Sequence, residues 1–182
     1  MDKSGVAMAL VSSTPDEGTI KLWKYAPNRI VPELRPYHGQ AGSSNWTKAA
    51  SMFEYIVGRL DAYPHERIGE FHLHSVDPLD EPLLRRIAEQ ARSRDIYIHV
   101  HSDKDPVDLL FSLEPQLKII WAHAGTSKTL HRYQGKMDFL LPTVKALLAE
   151  HDNLYIDLSW TVLQPYLLDD KKQPDPQWLA LV

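Results

Sequence analysis

The stretch DIYIHVHSDKDPVDLLFSLEPQLKIIWAHAG, residues 95–125, holds a strand, a helix and a second strand in succession. DIYIHVH and KIIWAHAG are short runs rich in β-branched and aromatic residues, as strands are. The intervening DPVDLLFSLEP has helical periodicity, and Asp105 before Pro106 is a helix-start signal. This order predicts two parallel strands joined by a right-handed helical crossover.

The same alternation of strand and helix continues on both sides of this unit. Further strands are predicted at residues 6–11, 29–37, 67–74 and 153–160, and further helices at 46–63, 81–94 and 139–151. Six strands alternating with helices predict an α/β protein with a parallel sheet, either doubly wound or closed into a barrel. We expect one domain over residues 1–182.

The polarity of alternate strand residues separates these two architectures. Residues two apart in a strand share a face, so His99 and His101 are predicted to lie opposite Ile98 and Val100. The other strands divide likewise, with Glu33, Arg35, Tyr37, Glu70, His72, His74, Trp121, His123, Tyr155, Asp157 and Ser159 on the polar face. A doubly wound sheet is apolar on both faces, whereas a barrel gathers polar groups inside. The pattern therefore favours a parallel (β/α) TIM-type barrel over that fold, and over an antiparallel sheet, whose hairpin connections are shorter.

Composition narrows the classes of partner and cofactor. The chain carries 20 Lys and Arg against 24 Asp and Glu, a net charge of -4, and has no basic run suited to nucleic acid. It has no cysteine, so a metal would have to bind His, Asp or Glu. The apolar stretch at residues 6–11 is too short for a membrane span or a signal core. We therefore expect a cytoplasmic protein that acts on a small molecule, with no nucleic acid and no membrane as partner.

Five histidines fall near the predicted strand ends and suggest a metal site. His101, His123 and His74 are the expected ligands of a divalent metal, with zinc as the first expectation and manganese or iron as alternatives. Glu70 and Asp157 lie on the same predicted face, where a carboxylate could serve as ligand, orienting group or general base. His72 and His99 lie deeper in their strands, and they are expected to be hydrogen-bonded structural residues.

The segments IGEFHLH, PLLRRIAEQARSRDIYIHVHSD, LKIIWAHAG and NLYIDLSW resemble, in order and spacing, the central part of the amidohydrolase superfamily. The resemblance is to its amidohydrolase-2 branch of metal-dependent TIM-barrel hydrolases and decarboxylases, and it covers essentially the whole chain. It implies that His101, or alternatively His99, is the metal ligand of the fifth barrel strand. It also implies that His123 of the sixth strand binds metal or polarises the substrate and its water. No lysine stands in IGEFHLH, which argues against the binuclear type with a carbamylated lysine.

The implied activity is hydrolysis by a metal-activated water that attacks a C–N or C–O bond, or a related decarboxylation. His123 and Asp157 are the expected catalytic residues. The expected substrate-binding residues are Arg35, which would meet an acidic substrate, and His131 and Trp160, which lie in or beside segments that follow predicted strands.

The family pattern also includes a His-x-His on the first barrel strand and an Asp on the last, and neither is found in this sequence. Residues 6–11 resemble the second strand. We therefore expect an incomplete barrel, with about six of the eight β/α units that closure requires. The alternative function is a non-catalytic, truncated barrel fragment that forms a homo-oligomer through its open edges or binds a small ligand. In that case the metal would be absent or weakly held.

Overall fold

The structure is a computed structural model, and it describes residues 1–75, 77–125, 140–160 and 163–181. Its centre is one six-stranded parallel sheet in which each strand pairs with the next along the chain. The strands are β1 (Ala9–Val11), β2 (Ile30–Leu34), β3 (Arg67–Leu73), β4 (Tyr97–Ser102), β5 (Lys118–Trp121) and β6 (Leu154–Ile156). The predicted α/β class, the six strands and their parallel arrangement are confirmed.

Helices connect successive strands, and two short helices follow β6. They are α1 (Glu17–Tyr25), α2 (Met52–Ala62), α3 (Glu81–Ser93), α4 (Lys104–Leu113), α5 (Leu140–Glu150), α6 (Gln164–Leu167) and α7 (Pro176–Leu179), with 3₁₀ turns at Asp2–Ser4, Trp46–Lys48 and Ala122–Gly125. Helix α1 was not among the predicted helices. Across the described ranges, no helix combines the length and the apolar character needed to cross a membrane.

One face of the sheet packs against helices α2 to α5. Helix α3 shows why: its buried residues Leu84, Ile87, Ala88 and Ala91 recur every three or four positions and form one apolar stripe. They share a continuous core with strand residues such as Ile68, Phe71, Ile98, Val100 and Ile119. With this face covered, the opposite face of the sheet is left to carry the polar residues.

Two departures from simple alternation decide which residues reach the polar face. The pairing of β3 with β4 shifts between Ile68 and Phe71, so that both of these residues are buried in the core although they are three apart. A shift of this kind is a β-bulge, a feature common beside functional sites. It allows Arg67 and Glu70, also three apart, to line the same cavity.

The predicted facing of Trp121 is wrong. Trp121 pairs with Val100 and joins the core, whereas Ile120 pairs with His99 and lines the polar cavity. Alternation continued through to His123 puts Trp121 on the polar face, but β5 ends at Trp121, and the turn that follows breaks the alternation.

Candidate metal centre

A cavity of about 620 Å³ lies over the polar face of the sheet, and every strand from β1 to β6 contributes to its lining. Its walls include Glu33 of β2, Glu70 of β3, His99 of β4, Ile120 of β5 and Tyr155 of β6. Because the strands are parallel, their carboxyl ends meet at one rim, where α/β proteins of this type build their sites.

Three side chains meet at this rim, and we call them the triad: Glu70, His101 and His123. Oε1 of Glu70 lies 3.0 Å from Nδ1 of His101 and 3.2 Å from Nε2 of His123. One potential ligand atom from each residue lies within 4.8 Å of the other two. Strands β3 and β4 and the turn after β5 thus each contribute one donor to a single point.

The turn Ala122–Gly125 places His123. His123 and Ala124 both adopt left-handed backbone conformations, with φ of 54° and 50°. Such conformations are uncommon for residues other than glycine and concentrate at functional sites. Gly125 also has positive φ, and a Cβ there would lie 2.0 Å from the ring of Trp121, so only glycine fits. Trp121 is fixed in turn by donating its Nε1 proton to the carbonyl of Ser102, 3.0 Å away.

The triad holds charge of both signs. Burial raises the pKa of Glu70, but hydrogen bonds from His101 and His123 and the charge of His123 hold it far below its usual range. Nδ1 of His123 lies 3.0 Å from the carbonyl oxygen of Ser159, and Nε2 faces the Glu70 carboxylate. Both partners can only accept, so both imidazole nitrogens donate. Burial lowers the pKa of His123, whereas Glu70, Asp157 and the Ser159 carbonyl raise it, and the net shift is upward.

The donor set of the triad fits a divalent transition-metal ion. One carboxylate and two imidazoles are ligands that zinc, manganese and iron share, and three protein ligands leave a position open for water. The Ser159 carbonyl would accept a hydrogen bond from Nδ1 of His123 and leave Nε2 as the ligand atom. A backbone carbonyl is a usual hydrogen-bond partner for the second nitrogen of a metal-binding histidine. A metal would replace the proton on Nε2, so metal and proton compete for this nitrogen.

His72, expected to be structural, is hydrogen-bonded beside the triad. The Tyr37 hydroxyl accepts from the backbone N–H of His72 at 2.8 Å and lies 2.7 Å from its Nδ1. Burial, together with His101 and His74, lowers the pKa of His72 to about 4, so its ring is neutral near pH 7. Its ring stacks on His101 with 4.4 Å between centroids. His72 thus supports a triad member from the side.

The remaining predicted site residues lie around the triad. His74 is outside the group whose ligand atoms converge, with its ring 6.4 Å from that of His101. Nη2 of Arg35 lies 3.5 Å from Oε2 of Glu70. The ring of Trp160 lies 4.9 Å from that of His123. His131, the third expected substrate residue, is outside the described residues.

Asp157, an expected catalytic residue, is held in place by its own loop. Its carboxylate accepts from the backbone N–H of Ser159 at 2.6 Å and from the Ser159 hydroxyl at 2.7 Å. Its Oδ2 lies 3.6 Å from Nδ1 of His123. For Glu70 the sequence leaves three roles open, namely ligand, orienting group and general base. Its alternation with the other polar residues of β3 is the signal that places it on the polar face.

Comparisons of the chain with models of protein families, with curated proteins and with solved structures found no match.

Proposed function

We propose that the protein is a metal-dependent hydrolase of the amidohydrolase type, and that its sheet is part of a TIM-type (β/α) barrel. The observation that carries this proposal is the convergence of Glu70 from β3, His101 from β4 and His123 from the turn after β5. The consecutive strand order and the polar cavity opposite the helix-covered face support the barrel assignment.

Zinc is the proposed ion, with manganese or iron as alternatives, held by Nδ1 of His101, Nε2 of His123 and the carboxylate of Glu70. Held there, the ion would supply a bound water with a pKa near neutrality for attack at a C–N or C–O bond. In a decarboxylation it would instead stabilise the negative charge left on the substrate when the C–C bond breaks.

The protein groups around the triad bind, orient and move protons. Hydrogen bonding to the Ser159 carbonyl fixes the ring of His123, and Asp157 stands 3.6 Å from the same ring as the proposed general base. Arg35 offers a guanidinium to an acidic group of a small-molecule substrate, while Trp160 provides an aromatic wall beside His101 and His123. His131 remains a proposed substrate residue on the sequence argument alone.

Zinc titration by calorimetry, after treatment with a chelator, tests the triad. We expect wild-type protein to bind zinc, and His101→Asn and Glu70→Gln each to weaken binding at least about 100-fold, because each removes a ligand. His38→Asn is the matched control, since His38 is exposed and stacks on Tyr55 away from the triad. Hydrolysis of a panel of small amides and esters should require zinc and be lost in both triad variants.

The opposite result would favour the second function considered above. If wild-type protein neither binds zinc nor hydrolyses any member of the panel, and the triad variants behave like His38→Asn, the hydrolase proposal is wrong. A non-catalytic, oligomeric fragment would then show itself as a metal-free species larger than 20.9 kDa in sedimentation analysis.

A further inference from the structure

A second histidine–carboxylate pair lies deeper in the same cavity. Nδ1 of His99 lies 2.7 Å from Oε1 of Glu33, and the two residues are 7% and 3% exposed. Because a carboxylate only accepts, Nδ1 of His99 carries the proton of this hydrogen bond. In the neutral imidazole the lone pair therefore lies on Nε2.

Nε2 of His99 is buried and has no hydrogen-bond partner in the part of the chain that the structure describes. Buried polar atoms are nearly always paired, so an orphaned nitrogen of this kind calls for an explanation. The polar atom that faces it is Oδ2 of Asp157, at 3.8 Å. This separation is too long for a hydrogen bond.

The separation suits an ion shared by the two atoms. Two ligand atoms that each bind an ion at about 2.1 Å with a tetrahedral angle lie roughly 3.4 Å apart. Nε2 of His99 and Oδ2 of Asp157 would therefore need to approach each other by only a few tenths of an ångström to bind one ion. Both side chains are already oriented, His99 by Glu33 and Asp157 by the N–H and hydroxyl of Ser159. A histidine that gives its other N–H to a carboxylate is the common arrangement of a metal ligand.

The charge of the cavity also favours a cation. Its lining includes three carboxylates, those of Glu33, Glu70 and Asp157, against one guanidinium, that of Arg67. Glu70 is also balanced by Arg35 and His123. Among the described residues, Glu33 and Asp157 form ion pairs with histidines alone, so no lysine or arginine offsets the negative charge around Nε2 of His99. Water or a polar group of a substrate has room in the cavity to complete the coordination.

We propose that Nε2 of His99 and the carboxylate of Asp157 form a second metal site, the inner site, which takes a divalent transition-metal ion. His99 precedes His101 by two positions on β4, about 6.6 Å along the strand. The inner site needs no bridging lysine and no hydrolase activity, because neither of its two ligands is a member of the triad, although Oδ2 of Asp157 also lies 3.6 Å from Nδ1 of His123.

Titration of metal-free protein with Co²⁺, followed by visible absorption and calorimetry, tests the inner site. We expect two bound equivalents in wild-type protein and one in His99→Gln, with the triad component retained. His101→Asn should show the converse, losing the triad component and keeping the inner one. Glu33→Gln should weaken the inner component by about 10- to 100-fold, since it removes the carboxylate that orients His99. Asp157→Asn should remove the inner component while keeping an oxygen that accepts from the Ser159 N–H, and its amide nitrogen can donate to the Ser159 hydroxyl.

The outcomes separate the two proposals. If His99→Gln, Glu33→Gln and Asp157→Asn all bind as many equivalents as wild type, or wild type binds a single equivalent that only His101→Asn removes, the inner site does not exist. If His99→Gln abolishes one component and His101→Asn changes nothing, the inner site stands and the triad fails. Urea unfolding of each variant identifies a loss of binding that comes from misfolding, and Glu33→Gln, which alters no ligand atom, then decides the question.

Discussion

Two histidine–carboxylate pairs among the described residues have both members buried: Glu33–His99 in the cavity and Asp16–His65 outside it. Nε2 of His65 lies 3.1 Å from Oδ1 of Asp16, and both side chains are fully buried. Arg59 completes the outer pair by donating from Nε to Oδ2 of Asp16 at 2.7 Å. Among the residues that the structure describes, no arginine contacts the pair in the cavity, and this pair lines the cavity wall instead.

An orphaned imidazole nitrogen does not by itself distinguish the two pairs. Nδ1 of His65, like Nε2 of His99, is buried without a hydrogen-bond partner among the described residues. What differs is access: His99 lines the cavity and faces the anchored carboxylate of Asp157, whereas the outer carboxylate is already neutralised by a guanidinium. A histidine and a carboxylate thus stabilise the fold in the outer pair, whereas in the cavity pair they form part of a candidate ion site.

The outer pair should matter most for stability. Asp16 directly precedes α1, and its carboxylate binds Arg59 of α2 and His65 just before β3, so it connects three segments. We expect Asp16→Asn to lower the free energy of unfolding by about 3 kcal/mol, because it leaves a partly buried guanidinium without its counter-charge. Urea denaturation measures this loss, and Co²⁺ stoichiometry should stay at the wild-type value.

Glu17→Gln is the control for this change. Glu17 also lies near Arg59, at 3.6 Å, but its side chain is 66% exposed. Exposed ion pairs contribute little, so we expect a loss below about 0.5 kcal/mol. If Asp16→Asn and Glu17→Gln lower the free energy of unfolding equally, the outer pair does not stabilise the fold.

The Tyr37–His72 hydrogen bonds should have an intermediate effect. Tyr37→Phe removes the acceptor of the His72 N–H and the partner of its Nδ1, and we expect a loss of about 2 kcal/mol in unfolding free energy. Zinc affinity should change less than about 10-fold, because His72 stacks on His101 without belonging to the triad. Tyr155→Phe, at a tyrosine that is 46% exposed, should leave both quantities unchanged. If the two variants prove equally stable, Tyr37 does not anchor this side of the triad.

The smallest effect is expected at the left-handed turn. Ala124→Gly relieves roughly 1 kcal/mol of backbone strain and loses a buried methyl worth about 0.8 kcal/mol, so stability should hardly change. Ala88 is equally buried but lies in α3. There Ala88→Gly should cost about 2 kcal/mol, since the lost methyl adds to the poor helix propensity of glycine. Thermal or urea unfolding of the pair measures the difference, and similar losses at both positions would show that the turn is not strained.

Much of the fold and part of the site could be predicted from sequence. Alternating polarity identified the strands and put His101, Glu70 and His99 on one face, because that pattern depends only on residue type and period. The site at the strand ends followed from parallel topology. Helix α1 was missed although Asp16 before Glu17 is a cap signal, because its short sequence shows few apolar repeats.

The remaining features depend on geometry that residue types do not encode. The bulge between Ile68 and Phe71 and the left-handed turn at His123 both reset the alternation, and each depends on packing against a neighbouring strand. The facing of Trp121 was wrong for this reason. The sequence also leaves open whether Glu70 or Asp157 completes the triad with His101 and His123. Both carboxylates lie on the same polar face, and only interatomic distances distinguish their roles.

The consecutive order of the strands has a consequence for how the chain folds. Every ladder joins strands that are neighbours along the chain, so each new strand meets an edge that the preceding segment has already formed. The loop closed at each step is short, which keeps its entropic cost low compared with that of distant pairings. The sheet can thus grow one strand at a time from the amino-terminal side as the chain leaves the ribosome, and His99 and His101 of β4 are synthesised before His123 and Asp157.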